Sequence, residues 1–140
     1  MGLDAVVFRN AGKLASTYDV KIVGVDSQTG EAQVAPGDSA RLPRAALVAV
    51  RYRLGNLDEV ARLREVIAGA LKDPKSILMS KVLYSASHSG DVIGTGEVPG
   101  VRRELSVLMS MADARLDAFT SSMNELLDAA EAEQNPIVFV

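Results

Sequence analysis

The sequence contains no cysteine, no tryptophan and few aromatic residues of any kind. The absence of cysteine excludes disulfides, a thiolate metal site and a cysteine nucleophile, and it fits a reducing compartment. Aromatic residues make up 4% of the chain and hydrophobic residues 48%, so the core has to be built mainly from aliphatic side chains. A single histidine, His88, is present, and any histidine chemistry would have to depend on it.

The sequence also lacks a long apolar run. No stretch approaches the roughly 18 residues that a membrane-spanning helix needs. The start, MGLDAVVFRN, has neither the basic region nor the long apolar region of a secretory signal. Val6 stands where an N-myristoylation signal has serine or threonine. We therefore expect a cytoplasmic protein without a membrane partner, whose 140 residues form one domain over residues 1–140.

Charge is low overall but unevenly distributed. The net charge is −3. Residues 41–81 hold nine basic and four acidic residues, a net charge of +5, whereas residues 113–133 hold six acidic residues and one basic, a net charge of −5. The overall acidity argues against a nucleic-acid partner. The charge segregation indicates either two solvated faces of the domain or an acidic face for a basic protein partner.

The first half of the chain has the pattern of strands and turns. Gly12 and its polar neighbours in Asn10–Thr17 are expected to break the first strand, and Pro36–Ser39 is expected to be a loop. Ala45–Leu54 fits either a strand or a helix, of which the strand is preferred. Alternating β-forming residues predict a strand at Leu3–Arg9 and a hairpin whose strands, Asp19–Ser27 and Glu31–Ala35, flank the turn Gln28–Gly30.

The second half has helical periodicity. Leu57–Leu71 carries an apolar stripe and is capped by Asn56 or Asp58. Val101–Glu133 is amphipathic throughout, but one rod of that length would span roughly 50 Å at 1.5 Å per residue. We expect it to break, near Ser110–Asp113 or Thr120–Ser122, or else to project and form a homodimer. Ile137–Val140 reads as a final strand docked in the sheet.

Between these halves lies Ile77–Gly96, the stretch around which the chain is expected to be organised. Ser76–Tyr84 reads as a buried strand, and the segment after it, Ser85–Asp91, as a polar turn. The predicted fold is α+β, a mainly antiparallel sheet packed against two or three helices. The sheet is expected to consist of the N-terminal strands, a strand at Ile77–Tyr84 and the C-terminal strand.

The polar turn is the only place where the sequence brings candidate catalytic groups together. His88 could act as a general base for Ser85, Ser87 or Ser89, with Asp91 orienting it. Triads are usually assembled from distant segments, however, and a turn held by serine and aspartate side chains is the stronger interpretation. We predict no catalytic residue. We also predict no metal site, because one histidine and no cysteine leave only carboxylates as ligands, and no cofactor, since GDVIGTG lacks the spacing of a phosphate-binding loop.

Four pieces of the sequence together resemble a known family. They are GLDAVV at the start, RLGN with the following Leu63-Arg64-Glu65, the run VLYSASHSGDVI, and NPIVFV at the end. They are similar to small bacterial proteins predicted to be immunity proteins of polymorphic toxin systems. The resemblance covers most of the chain, in order. It implies a cytosolic inhibitor that binds and neutralises one cognate toxin domain, and it brings no catalytic residues.

Two regions are candidates for contact with such a partner. One is the turn, and the other is the acidic face in the second half of the long helical segment, which suits a basic toxin. The alternatives are a small hydrolase or transferase centred on His88 and a structural or regulatory homo-oligomer. The predicted contact residues are Ser87, His88, Ser89 and Asp91 in the turn, and Asp117, Glu125, Asp128 and Glu131 on the helix.

Overall fold

The computed structural model describes residues 2–140, which form a single small α+β domain, as predicted. Among these residues, three short 3₁₀ segments cover Arg44–Leu47, Thr95–Glu97 and Ala114–Leu116, and one wide helical turn covers Leu78–Val82. The strands are β1 (Gly2–Phe8), β2 (Ile22–Val25), β3 (Ala32–Val34), β4 (Val48–Asn56), β5 (Val92–Ile93) and β6 (Ile137–Phe139). The helices are α1 (Ala11–Tyr18), α2 (Pro36–Ser39), α3 (Leu57–Leu71), α4 (Val98–Ser110) and α5 (Asp117–Glu133).

The main sheet has four strands in the order β4-β1-β6-β5, all antiparallel. β1 lies in the middle, where Ala5 pairs with Tyr52 of β4 and with Phe139 of β6. The C-terminal strand therefore lies beside the N-terminal strand, and the prediction of a docked final strand is confirmed. The strand interpretation of Ala45–Leu54 is also correct for β4, which a short 3₁₀ turn at Arg44–Leu47 precedes.

Helices α3 and α5 cover one face of the sheet, α4 packs against both of them, and the main core lies between these elements. β1 contributes Leu3, Ala5 and Val7 to this core, each with no exposed surface. Phe119 and Phe139 are the only aromatic residues among the fully buried side chains of residues 2–140, so the core is largely aliphatic. None of the helices within these residues is long and apolar enough to cross a membrane.

The predicted hairpin forms, but as a separate two-stranded sheet of β2 and β3 and not as part of the main sheet. Its turn needs Gly30, whose φ of 77° is left-handed and whose missing Cβ leaves room for the Asn135 side chain. The Asn135 amide donates to the Phe8 carbonyl and so fixes the connection before β6 against the end of β1. With α1 and Ala46, the hairpin builds a second, smaller apolar cluster.

Asn10–Thr17, which we expected only to break the first strand, continues as helix α1. The Asn10 side chain caps this helix by accepting from the backbone N–H groups of Gly12 and Lys13. The Glu133 carboxylate accepts in turn from the Asn10 backbone N–H at 2.9 Å. Part of the stabilisation comes from a residue 123 positions away, which the local pattern could not indicate. Pro36–Ser39, expected as a loop, forms the short helix α2.

The prediction of a strand at Ser76–Tyr84 is wrong. The segment is a wide helical turn, and the fourth strand of the sheet is β5. Leu78, Val82 and Leu83 are fully buried, and a short apolar run of this kind fits a buried helix as well as a strand. Glu104 of α4 stabilises the helical form, because its two carboxylate oxygens accept from the backbone N–H groups of Ile77 and Leu78 at 2.9 Å each.

The long helical segment is broken, as predicted, at Ser110–Asp113. Ala112 adopts a left-handed conformation with φ of 50°, which ends α4. The Asp113 side chain then accepts from the Arg115 backbone N–H and caps the next turn. α4 and α5 fold back on each other as an antiparallel pair, so the length of the segment no longer argues for a homodimer, which stays a prediction.

Helix α3 has the predicted bounds, Leu57–Leu71. Of the two candidate caps, Asn56 is the one used. Its side chain accepts from the Glu59 backbone N–H at 2.9 Å, and the Glu59 carboxylate accepts from the Asn56 backbone N–H at 3.1 Å. This reciprocal capping box fixes the start of the helix directly at the end of β4.

Because Ala112 is left-handed, substitution of alanine by glycine should have opposite effects on stability at this position and within a helix. Ala112→Gly should raise the free energy of unfolding by roughly 0.5–1 kcal/mol, because glycine adopts this conformation without the Cβ clash. The matched change Ala68→Gly, in the exposed interior of α3, should lower it by a similar amount of roughly 0.5–1 kcal/mol. Urea unfolding of both variants measures this, and a loss of stability in Ala112→Gly would contradict the geometry of the break.

Candidate functional site

The polar turn is held against the edge of the sheet by backbone hydrogen bonds to Phe139 of β6. The Gly90 N–H donates to the Phe139 carbonyl at 2.8 Å, and the Phe139 N–H donates to the Asp91 carbonyl at 2.9 Å. Gly90 has a φ of 88°, which allows the chain to turn from His88 into β5. These bonds extend the β5–β6 ladder by one step and place three side chains together: Tyr84, His88 and Asp91, here called the turn cluster.

His88 is enclosed in this cluster, and only 6% of its side chain is exposed. Its Nε2 lies 2.8 Å from the Val82 carbonyl oxygen, which can only accept, so Nε2 carries a hydrogen. Its Nδ1 lies 2.7 Å from Oδ2 of Asp91, at an angle outside hydrogen-bond geometry, and has no other hydrogen-bond partner within residues 2–140. The ring packs between Tyr84 and Phe139, with centroid distances of 4.5 and 5.1 Å.

Asp91 is the acceptor at the centre of the cluster. The Tyr84 hydroxyl donates to Oδ2 of Asp91, the same oxygen that faces His88. This hydrogen bond is the main cause that lowers the pKa of Asp91 below its ordinary value, against partial burial, and the nearby His88 and Lys81 lower the pKa further. The same hydrogen bond raises the pKa of Tyr84. The carboxylate is therefore held ionised by its neighbours.

The cluster does not have the arrangement of a Ser–His pair. Both ring nitrogens of His88 face acceptor oxygens, and no serine hydroxyl within residues 2–140 hydrogen-bonds to either of them. The Ser85 hydroxyl donates instead to the backbone carbonyl of Ser87 at 3.0 Å. Asp91 does lie beside His88, as the catalytic interpretation requires, but the hydrogen bond that holds the ring is the one to the Val82 carbonyl, and the ring supports the turn from within. Ser89 lies at the exposed tip beside it.

The acidic face of α5 divides into two parts. Towards the end of the helix, Asp128 and Glu131 both accept from the guanidinium of Arg102 in α4, at 2.8 and 2.9 Å. These hydrogen bonds, that of Asp128 first, raise the pKa of Arg102. The bridge connects the two antiparallel helices, so both carboxylates serve packing as well as surface charge.

Towards the start of α5, Asp117 and Glu125 are exposed and form no ion pair within residues 2–140. They lie on the rim of a groove of about 480 Å³ between the end of α4 and α5. Met109, 57% exposed, forms part of its wall, and its sulfur accepts from the Asn124 amide at 3.5 Å. A third acid in this groove, Asp113, is occupied by Arg115 at 2.7 Å. Asp117 and Glu125 are thus the carboxylates available to a partner.

No hydrogen bond or ion pair within residues 2–140 joins the two predicted regions. The structure brings His88 together with Asp91, and Asp128 together with Glu131, but Ser87 and Ser89 form no side-chain bond to either pair. The predicted set omitted Tyr84 and Arg102, which hold the two pairs. Tyr84 precedes Asp91 by seven positions with no periodicity to connect them, and Arg102 lies on a different helix from its acids. Only the spacing of Asp128 and Glu131, on one face of a helix, could have signalled a shared cation.

No group of three or more potential metal ligands occurs among residues 2–140. The comparisons with known proteins add no further assignment: no protein-family model, no curated protein and no solved structure matches this chain.

The turn cluster predicts a specific pH dependence for Tyr84→Phe. The pKa of Asp91 is lower in the folded chain than the ordinary value of about 3.9, so its ionisation stabilises the fold above that pH, and the contribution is lost as the pH falls through the folded pKa. Without the Tyr84 hydroxyl, the pKa of Asp91 should rise towards its ordinary value. The variant should therefore be less stable than the wild type at neutral pH, and this difference should vanish once the pH is low enough to protonate Asp91 in both folded proteins.

The matched control for this experiment is Tyr18→Phe, since the Tyr18 hydroxyl makes no hydrogen bond within residues 2–140. It should change neither the pKa of Asp91 nor the stability of the fold. NMR titration of the Asp91 carboxyl carbon gives the pKa, and urea unfolding at the two pH values gives the stability. An unchanged Asp91 pKa in Tyr84→Phe would show that the hydroxyl does not control the carboxylate.

Proposed function

We propose that this chain is an immunity protein that binds and neutralises a cognate, basic bacterial toxin domain. The observation that carries the proposal is the segregation of charge onto residues 113–133, which include α5 and hold six acidic residues and one basic. The sequence resemblance to predicted immunity proteins points the same way. Within residues 2–140, no serine hydroxyl bonds to His88 and no metal-ligand cluster occurs, which gives an inhibitor more support than an enzyme.

Asp117 and Glu125 are the first choice for contact with a basic toxin. Both are exposed and free of ion pairs within residues 2–140, so a partner's lysine or arginine does not have to displace an existing bond. Asp128 and Glu131 are 72% and 56% exposed at the side chain, but each already accepts from Arg102. They add to the field that attracts a basic partner, and Asp117 and Glu125 with the adjacent groove offer direct contact.

The turn cluster has a different role in this proposal. His88 is enclosed and stabilises the turn, whereas the exposed Ser89 and the half-exposed Tyr84 and Asp91 form its outer surface. A polar surface that is fixed by Phe139 and His88 loses little conformational entropy on binding. The turn would supply hydroxyl and backbone groups to the toxin, and α5 would supply charge.

The function is tested with the product of the gene that lies directly upstream of this one. Its C-terminal domain should stop growth when it is expressed in a bacterial host, and coexpression of this chain should restore growth. Purified chain and domain should form a stable complex, seen by light scattering with the masses of both. Growth arrest that a folded, coexpressed chain does not relieve would contradict the proposal, as would an upstream product that is harmless.

The contact surface is tested separately by Asp117→Lys combined with Glu125→Lys. Because neither carboxylate forms an ion pair, the domain should stay folded, and association with the basic toxin domain in low salt should slow by roughly tenfold or more. The dependence of the rate on salt should also become weaker. Stopped-flow fluorescence over a salt series measures both effects.

The matched control carries Asp19→Lys and Asp58→Lys, which make the same change in net charge at exposed residues outside α5 and its groove. It should associate at close to the wild-type rate. If both double variants slow association equally, net charge alone steers the toxin and the α5 contact is wrong. If neither does, the acidic face is only a solvated surface.

An enzyme centred on His88, the alternative function, would require a different arrangement of the His88 ring. A hydrolase or transferase would need one ring nitrogen to leave its acceptor and reach a serine hydroxyl, and His88→Ala would then abolish activity in a folded chain. For the proposed inhibitor, the same variant should only loosen the turn. It should lower the affinity for the toxin domain in part and leave growth protection measurable.

A further inference from the structure

The outer edge of β4 is the longest unpaired strand edge of the main sheet. β4 has nine residues and lies at one end of the strand order, whereas the strand at the other end, β5, has two. A free edge presents N–H and C=O groups to which an extended segment of another chain can pair. Within residues 2–140, no hydrogen bond is made to the outward backbone N–H groups of β4.

The hydrogen bonds of β1 determine which backbone groups of β4 point outward. The Asp4 carbonyl accepts from the Val140 N–H, on the β6 side of β1, so Ala5 and Val7 direct their groups to β4. Their partners, Tyr52 and Val50, are therefore bonded to β1. Arg51 and Arg53 alternate with them and direct their N–H and C=O groups away from the sheet.

This available edge is short and has defined ends. Phe8 pairs with Val48 and Val7 with Val50, which leaves Ala49 in a bulge, and a second register shift leaves Leu54 without a partner. Bulges twist a strand and stop further pairing. The regular edge between them presents four backbone groups, those of Arg51 and Arg53, which fixes the register of an incoming strand.

A groove lies beside the edge near each end of β4. Near its start, a groove of about 550 Å³ is lined by Phe8, Val48 and Ala49, with Glu31 of the hairpin and Arg44 at its rim. Near its end, a groove of about 370 Å³ lies among Leu54, Val66 and Phe119, with helices α3 and α5 as its walls. A strand added to β4 would run between the two, and its alternate side chains could enter them.

The charge of the edge disfavours pairing with the β4 edge of a second copy and favours an acidic segment. The side chains of Arg51 and Arg53 project on one face and are 62% and 53% exposed. Arg53 forms two bonds to Asp4, at 2.7 and 2.9 Å, but Arg51 lies 3.5 Å from that carboxylate and keeps donors free. Antiparallel pairing of two β4 edges would set these arginines against their own copies, which is unfavourable.

The geometry points to β4 as a strand-addition site for an extended segment of a partner protein that carries acidic side chains at alternate positions. The acidic residues would face Arg51 and Arg53 on one side of the added strand, and apolar residues would face the Leu54–Phe119 groove on the other. The segment would pair with the four outward backbone groups. This site is separate from the acidic face of α5, and it does not rest on the proposed function.

The test uses the full chain and a peptide of about eight residues, roughly 26 Å at 3.3 Å per residue, in which glutamate alternates with valine. In the free protein, amide hydrogen exchange should be fast at Arg51 and Arg53 and slow at Val50 and Tyr52, which bond to β1. At a peptide concentration of about ten times Kd, exchange at Arg51 and Arg53 should slow about tenfold. A peptide with lysine in place of glutamate should give no protection.

Two variants separate the backbone contribution from the charge. Arg51→Pro removes an outward N–H that β1 does not use, so the sheet should remain and protection of Arg53 by the peptide should be lost. Arg51→Ala keeps the N–H and should bind the glutamate peptide more weakly but measurably. It also provides the test if the proline variant does not fold. Slow exchange at Arg51 and Arg53 in the free protein, or no change with the glutamate peptide, would overturn the site, whatever the outcome of the toxin experiments.

Discussion

The antiparallel ladder between β1 and β6 is the constraint on which most of this structure depends. It joins residues from the two ends of the chain, Ala5 with Phe139 and Val7 with Ile137. Phe139 then bonds through its backbone to Gly90 and Asp91 and stacks on His88, so the polar turn is fixed by the last strand. β4 pairs on the other side of β1. The polar turn and the β4 edge are thus both positioned by one central strand and its two neighbours.

Sequence patterns predicted the elements whose stabilisation is local. Asn56 and Glu59 cap α3 from within four residues, and the α3 bounds were correct. Elements that depend on distant groups were missed. Glu104 caps the helical turn at Leu78, and Glu133 supports the start of α1 from the far end of the chain. A buried apolar run leaves strand and helix equally open until such a partner is known.

The candidate site shows the same division between local and distant information. Asp91 and His88 are only three positions apart in the sequence, and their proximity was predicted. The enclosure of His88 by Phe139 and the hydrogen bond from Tyr84 to Asp91 were not predicted. Because of them, His88 supports the turn and is not available as a base. On α5, the acidic spacing was readable, but Arg102 of another helix decides which carboxylates remain free.

Acidic and basic surfaces on one chain raise the question of what prevents copies from binding each other. Contact between the acidic face of one copy and the β4 edge of the next would be head-to-tail and could continue into filaments. The two surfaces have different backbone requirements, however. Helix α5 has no strand edge to offer, so it cannot satisfy the outward groups of Arg51 and Arg53, and Asp4 already neutralises part of their charge. Charge attracts at both surfaces, but backbone geometry restricts β4 to an extended partner and so keeps the two surfaces independent.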